Sequence, residues 1–107
     1  MSIRENKAIA DYTKAIDMGF KSAIVYNRRG IAHAEKGEHD QAIADFNKAV
    51  ELDLSSANYY YNRGLTYAEK GEYDKAIADL EICITLSRDP SLTEEAKQVM
   101  EELQAQD

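Results

Sequence analysis

The run Lys7-Ala8-Ile9-Ala10-Asp11-Tyr12 returns as Gln41-Ala42-Ile43-Ala44-Asp45-Phe46 and again as Lys75-Ala76-Ile77-Ala78-Asp79-Leu80, each start 34 residues after the last. A second block keeps the same period. Arg29-Gly30 recurs as Arg63-Gly64, and Ala34-Glu35-Lys36-Gly37-Glu38 recurs unchanged as Ala68-Glu69-Lys70-Gly71-Glu72. A fixed period of this length marks a stacked array, because one such unit cannot bury its apolar face alone. Within a unit, Ala42, Ile43, Phe46, Ala49 and Val50 recur at steps of one, three and four, which places them on one stripe of a helix. Gly37 and Gly71 stand where a helix must end, and the left-handed backbone needed there costs glycine little. Each unit therefore reads as two helices joined by a glycine turn. Gly30 and Gly64 fall in mid-helix, where each costs about 1 kcal/mol relative to alanine, so close approach of the paired helix is the expected reason for them.

Outward from this core, residues 3–18 align with the second helix of the later units, and the array opens half a repeat in. Ser2, followed three residues later by Glu5, is a capping box that predicts the start of that helix. The expected division of the single domain, 1–107, is a half repeat over 1–22, full units over 23–56 and 57–90, and a terminal capping helix over 91–107. Strict continuation of the period would turn Glu94, Lys97, Gln98 and Glu101 into the core. A two-residue slip within 87–92 instead starts the helix at Thr93 and turns Ala96, Val99, Met100 and Leu103 inward. Glu94, Glu95, Gln98, Glu101 and Glu102 then form the polar outer surface a terminal repeat needs for solubility. The fold expected is all-α, an α-solenoid of antiparallel helix pairs with six helices.

A 34-residue helix-turn-helix unit with these residues resembles the tetratricopeptide repeat. Tyr26 and Tyr60 match that family's first large aromatic, Gly30 and Gly64 its small crossing residue, and His33 and Tyr67 its next aromatic. In the second helix, Ala42 and Ala76 match the small residue, Phe46 and Leu80 the large apolar one, and Ala49 and Cys83 the second small one. Arg29 and Arg63 depart from the usual leucine beside the glycine, and Leu54-Ser55 stands where a proline usually closes the unit. The resemblance implies a superhelix whose first helices line a concave peptide groove. Carried over by position, that groove comprises Asn27, Arg28, Ile31 and Glu35, then Asn58, Tyr61, Asn62, Leu65 and Glu69, with Lys97 and Gln98 added by the cap. Asn62 stands where related repeats grip a peptide backbone with an amide that both donates and accepts. Members that bind acidic chaperone tails surround that asparagine with lysine, asparagine and arginine. Here Asn27, Ile31, Glu94 and Gln98 fill those places, so a neutral or basic peptide is the expected partner.

Composition bounds the remaining possibilities. At 107 residues, 44% hydrophobic and 31% charged, with a single proline, the chain has enough sequence for one modest helical core and no linker-like stretch. Twenty acidic against thirteen basic residues give a formal charge of −7, which repels phosphate backbones and anionic membranes. Neither nucleic acid nor membrane is an expected partner. Met1-Ser2-Ile3-Arg4-Glu5 lacks the zones of a signal peptide, no apolar run approaches the ~18 residues of a membrane span, and the lone Cys83 cannot form an internal disulfide. A cytoplasmic protein is the default expectation.

Catalytic and metal sites find no seat. His33 and His39 lie six apart across a helix break, without a cysteine pair or carboxylate cluster to complete a ligand set. His33 reads as an aromatic-position core residue and His39 as the start of a second helix. Cys83 reads as a small buried hydrophobe with no activating histidine. Neither a nucleophile elbow nor a phosphate-cradling glycine loop occurs, so no enzymatic activity, metal or cofactor is expected. Tyr59-Tyr60-Tyr61 must point in three directions at 100° per residue; Tyr60 falls on the core and turns Tyr61 toward the groove. The expected role is protein–protein interaction, as a scaffold or adaptor. The alternative is self-assembly as a homo-oligomer through the unpaired face of the first helix, carried by Ile3, Ile9, Tyr12 and Ile16.

Overall fold

A computed structural model describes residues 2–106; positions 1 and 107 of the expected domain lie outside them. The regular structure is six α-helices: α1 (Ile3–Asp17), α2 (Ala23–Glu35), α3 (His39–Leu52), α4 (Ala57–Lys70), α5 (Tyr73–Leu86) and α6 (Pro90–Gln104). No strand occurs among the described residues. The chain divides into two compact units, the first ending at Leu54 and the second beginning at Ser55. In the first, α2 pairs with α3 and also packs on α1; in the second, α4 pairs with α5, on which α6 packs.

The two hairpins turn by the same device. In the first unit the Glu38 amide donates to the His33 carbonyl at 2.9 Å and the Gly37 amide to the Ala34 carbonyl at 2.9 Å. In the second, Glu72 donates to Tyr67 at 2.9 Å and Gly71 to Ala68 at 3.0 Å. This pair of bonds satisfies carbonyls that a helix end leaves orphaned, and it requires a left-handed residue between them. Gly37 and Gly71 supply it, at φ of 81° and 89°.

Gly30 and Gly64 then set how closely the paired helices approach. A Cβ at Gly30 would lie 2.7 Å from the nearest ring atom of Phe46 on α3. At Gly64 it would lie 3.2 Å from the Asp79 Cβ and 3.3 Å from the Ala76 carbonyl oxygen on α5. Phe46 fills the space left open by Gly30 and is itself fully buried, together with Ala42, Ile43, Ala49 and Tyr26. Around Gly64 the buried residues are Tyr60, Ala76, Leu80 and Cys83, with Ala96 and Leu103 contributed by α6. Burial pushes the Cys83 thiol pKa up, which favours the neutral, unreactive form.

Beside each crossing lies a buried ion pair, which explains the arginines that replace leucine. Arg29 donates through Nε and Nη2 to the two carboxylate oxygens of Asp45, both at 2.8 Å, and through Nη1 to the Thr13 hydroxyl of α1 at 3.1 Å. Arg63 grips Asp79 in the same two-pronged way, at 2.8 and 2.7 Å. The planar guanidinium matches a carboxylate at two points, so each pair fixes the rotation of one helix against the other as well as its distance. The hydrogen bond to Asp45 raises the Arg29 pKa against the opposing cost of burial.

Several expectations are corrected. Ser2 is the residue before α1, but its side chain makes no capping hydrogen bond. Its backbone, at ψ of 6°, is outside the extended region from which a hydroxyl reaches the first-turn amides. Ile16, expected on the exposed face of α1, is buried. His33 is half-buried rather than core, with Nδ1 2.7 Å from Glu38 and Nε2 3.9 Å from Asp45. The last helix begins at Pro90, not Thr93, because the Asp89 carboxylate accepts from the Ser91 amide at 2.9 Å. Proline is at home at the first helical position, where no amide is needed.

Two stability predictions follow from the crossings. Gly30→Ala should lose about 1–2 kcal/mol, since overpacking costs about 1–3 and the gain in helix propensity returns at most ~1. Gly64→Ala, whose contacts are longer, should lose less, and urea titration followed by circular dichroism ranks the two. Arg29→Leu should cost about 2–4 kcal/mol, because it strands the Asp45 carboxylate, and R29L with D45A should recover at least half of the loss. Arg29 and Asp45 side chains are 20% and 7% exposed, which keeps the expected loss toward the lower part of the range for fully buried pairs.

Candidate functional site

The residues expected to line a groove sit on α2, α4 and α6. On α2, Arg28, Ile31 and Glu35 are exposed and Asn27 is half-buried. On α4, Asn58, Tyr61, Asn62, Leu65 and Glu69 follow one another at steps of three, one, three and four, so they share one side of the helix. Asn58 and Glu69 are exposed, whereas Tyr61, Asn62 and Leu65 are half-buried. Of the three consecutive tyrosines, Tyr60 is buried as expected, and Tyr59 is buried too.

Within the second unit the structure brings part of this set together with residues that the sequence had not marked. A cleft of about 630 Å³ lies between the C-terminal halves of α4 and α6 and the first residue of α5. Leu65, Ala68 and Glu69 border it from α4, Tyr73 from α5, and Val99, Glu102 and Leu103 from α6, with Gln106 at one end. Its lining combines the apolar side chains of Leu65, Val99 and Leu103 with two carboxylates, Glu69 and Glu102. Farther along the same two helices, the Tyr61 hydroxyl donates to Glu95 at 3.3 Å. Partial burial, and then the nearby Glu95 charge, raise the Tyr61 pKa, so its hydroxyl stays a donor.

Leu65 and Glu69 are thus cleft residues. Tyr61 reaches α6 through Glu95, while Lys97 and Gln98 are exposed on α6 but do not border the cleft. Glu95 and Glu102, expected to be outer-surface residues, are exposed yet face this arrangement through the Tyr61 bond and the cleft rim. The missed signal was in the sequence. Glu95, Val99, Glu102 and Gln106 recur at steps of four, three and four, a helical stripe of their own beside the apolar one.

Around the hairpin turns, basic side chains are already engaged. Glu72 meets Lys70 and Lys75, each at 3.2 Å, and these contacts lower its pKa, Lys70 first. Glu38 is lowered in the same way by His33 and then Lys36. Among the described residues no group of three or more His, Cys, Asp or Glu side chains is placed to hold a metal ion. Among the same described residues no helix is long and apolar enough to cross a membrane.

Helix hairpins repeated at a 34-residue period, each closed by a glycine turn and crossed at a glycine, define a helical-repeat protein. Models of the TPR repeat and the tetratricopeptide repeat match residues 32–71 and 57–90, together more than half of the sequence. The chain belongs to the tetratricopeptide-repeat family. Among solved structures it is similar to the TPR domain of Arabidopsis OM64, at 28% identity over 92% of this chain and 82% of that one, with a TM-score of 0.83. It is similar to the TPR2B domain of yeast Sti1 in its complex with pHsp70, at 26% identity over 97% and 86% of the two chains, with a TM-score of 0.90. It also resembles the second TPR of Spaghetti (RPAP3) bound to the HSP90 peptide SRMEEVD, at 25% identity over 79% of each chain, with a TM-score of 0.75. No relative among curated proteins matches the chain.

Proposed function

We propose that this chain is a non-catalytic protein-interaction module, a scaffold or adaptor that holds a segment of a partner protein. The observation that carries the reading is the cleft of the second unit, where Leu65 and Glu69, two positions of the family's groove, border an apolar strip completed by Val99 and Leu103. Partly accessible apolar lining beside polar groups is the ordinary make-up of a recognition surface. Relatives of this fold are bound to pHsp70 and to an HSP90 peptide, which supports the same kind of use here. In the second unit Asn58, Tyr61, Asn62, Leu65 and Glu69 contribute from α4 and Lys97 and Gln98 from α6; in the first unit Asn27, Arg28, Ile31 and Glu35 of α2 are the corresponding family positions. The four places where tail-binding members of the family carry a lysine, an asparagine, a lysine and an arginine are filled by Asn27, Ile31, Glu94 and Gln98, and the chain carries a net charge of −7. A neutral or basic partner segment fits these groups, and nucleic acid does not. In the second unit Tyr61 and Leu65 supply apolar contact and Asn62 a hydrogen bond; in the first unit Asn27 and Arg28 offer hydrogen bonds of their own.

The test is capture of partners on the immobilised chain, identification by mass spectrometry, and titration of the recovered partner against wild type and Tyr61→Ala/Asn62→Ala. Loss of about tenfold in affinity or more is expected, on the order of 1.4 kcal/mol, with helicity by circular dichroism unchanged. Equal affinity for the two chains would sink the assignment of this face.

A second reading, self-association, is favoured by a different observation. The apolar face of α1 contributes less than expected, since Ile16 is buried, but Ile3 is 75% exposed and Met18, Phe20 and Ile24 around the α1–α2 turn are 65%, 63% and 57% exposed. Large apolar side chains clustered at one turn are a common seed for a contact between copies. Light scattering across a wide concentration range should show a mass above the monomer that Phe20→Ser/Ile24→Ser abolishes. A monomeric mass at the highest concentration removes this reading.

A further inference from the structure

The apolar cleft of the second unit has a rim of one sign only. Glu69 on α4 and Glu102 on α6 border it, and neither side chain has a hydrogen bond or ion pair among the described residues. No lysine, arginine or histidine lines the cleft. The cations nearest in sequence to Glu69 are committed elsewhere: Arg63 to Asp79, and Lys70 and Lys75 to Glu72. Lys75 also lies 5.5 Å over the Tyr67 ring. The same cleft is lined by the apolar side chains of Leu65, Val99 and Leu103.

Resting on the reading of this face as a protein-interaction site, we propose that the cleft selects a basic amphipathic segment of a partner protein. The segment seats an aliphatic side chain against Leu65, Val99 and Leu103 and brings a lysine or arginine to Glu69 and Glu102. The two halves of this recognition reinforce each other. An aliphatic side chain in the cleft excludes water from beside the carboxylates, which strengthens their attraction for a cation. A cation on the rim draws its own segment in and fixes which way it lies. An acidic segment meets two uncompensated carboxylates and is repelled, so selectivity here has a repulsive as well as an attractive part. The preference is opposite in sign to the acidic HSP90 peptide SRMEEVD held by the RPAP3 relative.

The test uses the full chain and three capped, fluorescein-labelled hexapeptides in anisotropy titrations: Leu-Arg-Leu-Arg-Leu-Arg, Leu-Glu-Leu-Glu-Leu-Glu and Ser-Arg-Ser-Arg-Ser-Arg. The first should bind saturably, about tenfold or more tighter than either of the others, and weaken as salt rises. Glu69→Gln/Glu102→Gln should weaken it about tenfold, as expected for losing charge-assisted contacts at a partly desolvated site. Leu65→Asn should weaken it while leaving the serine–arginine peptide unchanged. Glu51→Gln/Glu81→Gln removes the same charge from exposed positions on α3 and α5 and should change binding by less than about twofold, since distant exposed charges are screened.

Equal weakening by both double variants shows attraction to net charge alone and overturns the proposal. Binding of the leucine–glutamate peptide as tightly as the leucine–arginine one overturns it as well, as does absence of binding by all three. The fate of the interaction module is read separately: a captured partner lost on Tyr61→Ala/Asn62→Ala but indifferent to Glu69→Gln/Glu102→Gln leaves the module standing and removes the cationic preference.

Discussion

Two helices can lie no closer than the side chains at their crossing allow, and in each unit of this protein that limit is set by a missing Cβ. The Phe46 ring occupies the place where a Cβ on residue 30 would be, 2.7 Å away. Everything else in the first hairpin is arranged around this contact. The glycine gives up about 1 kcal/mol of helix propensity, and in exchange a whole aromatic ring is buried, worth about 1.5–3 kcal/mol for a large apolar side chain. The trade is favourable only while the ring stays seated, so the register of α3 against α2 is specified by one residue on each helix. In the second hairpin Leu80 takes the place of the ring, and the contacts at Gly64 relax to 3.2–3.3 Å. The same crossing thus tolerates a smaller partner with a slightly looser fit.

Distance alone does not fix orientation, and the buried Arg–Asp pairs supply what the glycines cannot. Arg29 and Asp45 are sixteen residues apart, as are Arg63 and Asp79, so each pair spans its own hairpin from first helix to second. A leucine at the arginine's position would bury more apolar surface and pack at any of several rotations. A two-pronged guanidinium–carboxylate contact is satisfied at one, and a misrotated helix would leave a charge stranded in a poorly solvated place. The pairs therefore act against wrong arrangements more than they add net stability. Arg29 extends this control to α1 through the Thr13 hydroxyl, which ties the third helix of the unit to the same fixed point.

The architecture was legible because a period of 34 residues is a property of the sequence itself, and each device that builds the hairpin falls on it. Gly30, Gly37 and Phe46 each have a physical reason at their position, and those reasons recur at Gly64, Gly71 and Leu80. The site was legible only in part, for a related reason. Positions on α4 could be carried over from a regular unit, and Leu65 and Glu69 do border the cleft. Positions on α6 could not, because the segment before it breaks the period. Asp89 and Pro90 start that helix three residues earlier than its apolar pattern alone suggests. The Arg–Asp pairs were hidden differently: each partner was visible as a repeated residue, but pairing them requires knowing how two helices face one another across a turn.

The repeat also explains why the charge of the cleft is left over. In both hairpins the acidic residue after the turn, Glu38 or Glu72, draws in nearby side chains, Lys36 and the His33 ring in one case and Lys70 and Lys75 in the other. The arginine beside the crossing is consumed by its aspartate. In the second unit these demands engage Arg63, Lys70 and Lys75, the basic residues on α4 and at the start of α5. Glu69 and Glu102 fall outside this pattern, and neither is paired with a cation among the described residues. The negative rim is thus what local pairing leaves unmatched beside an apolar lining. In the proposed role the lining orders a segment in the cleft and the rim discriminates by sign.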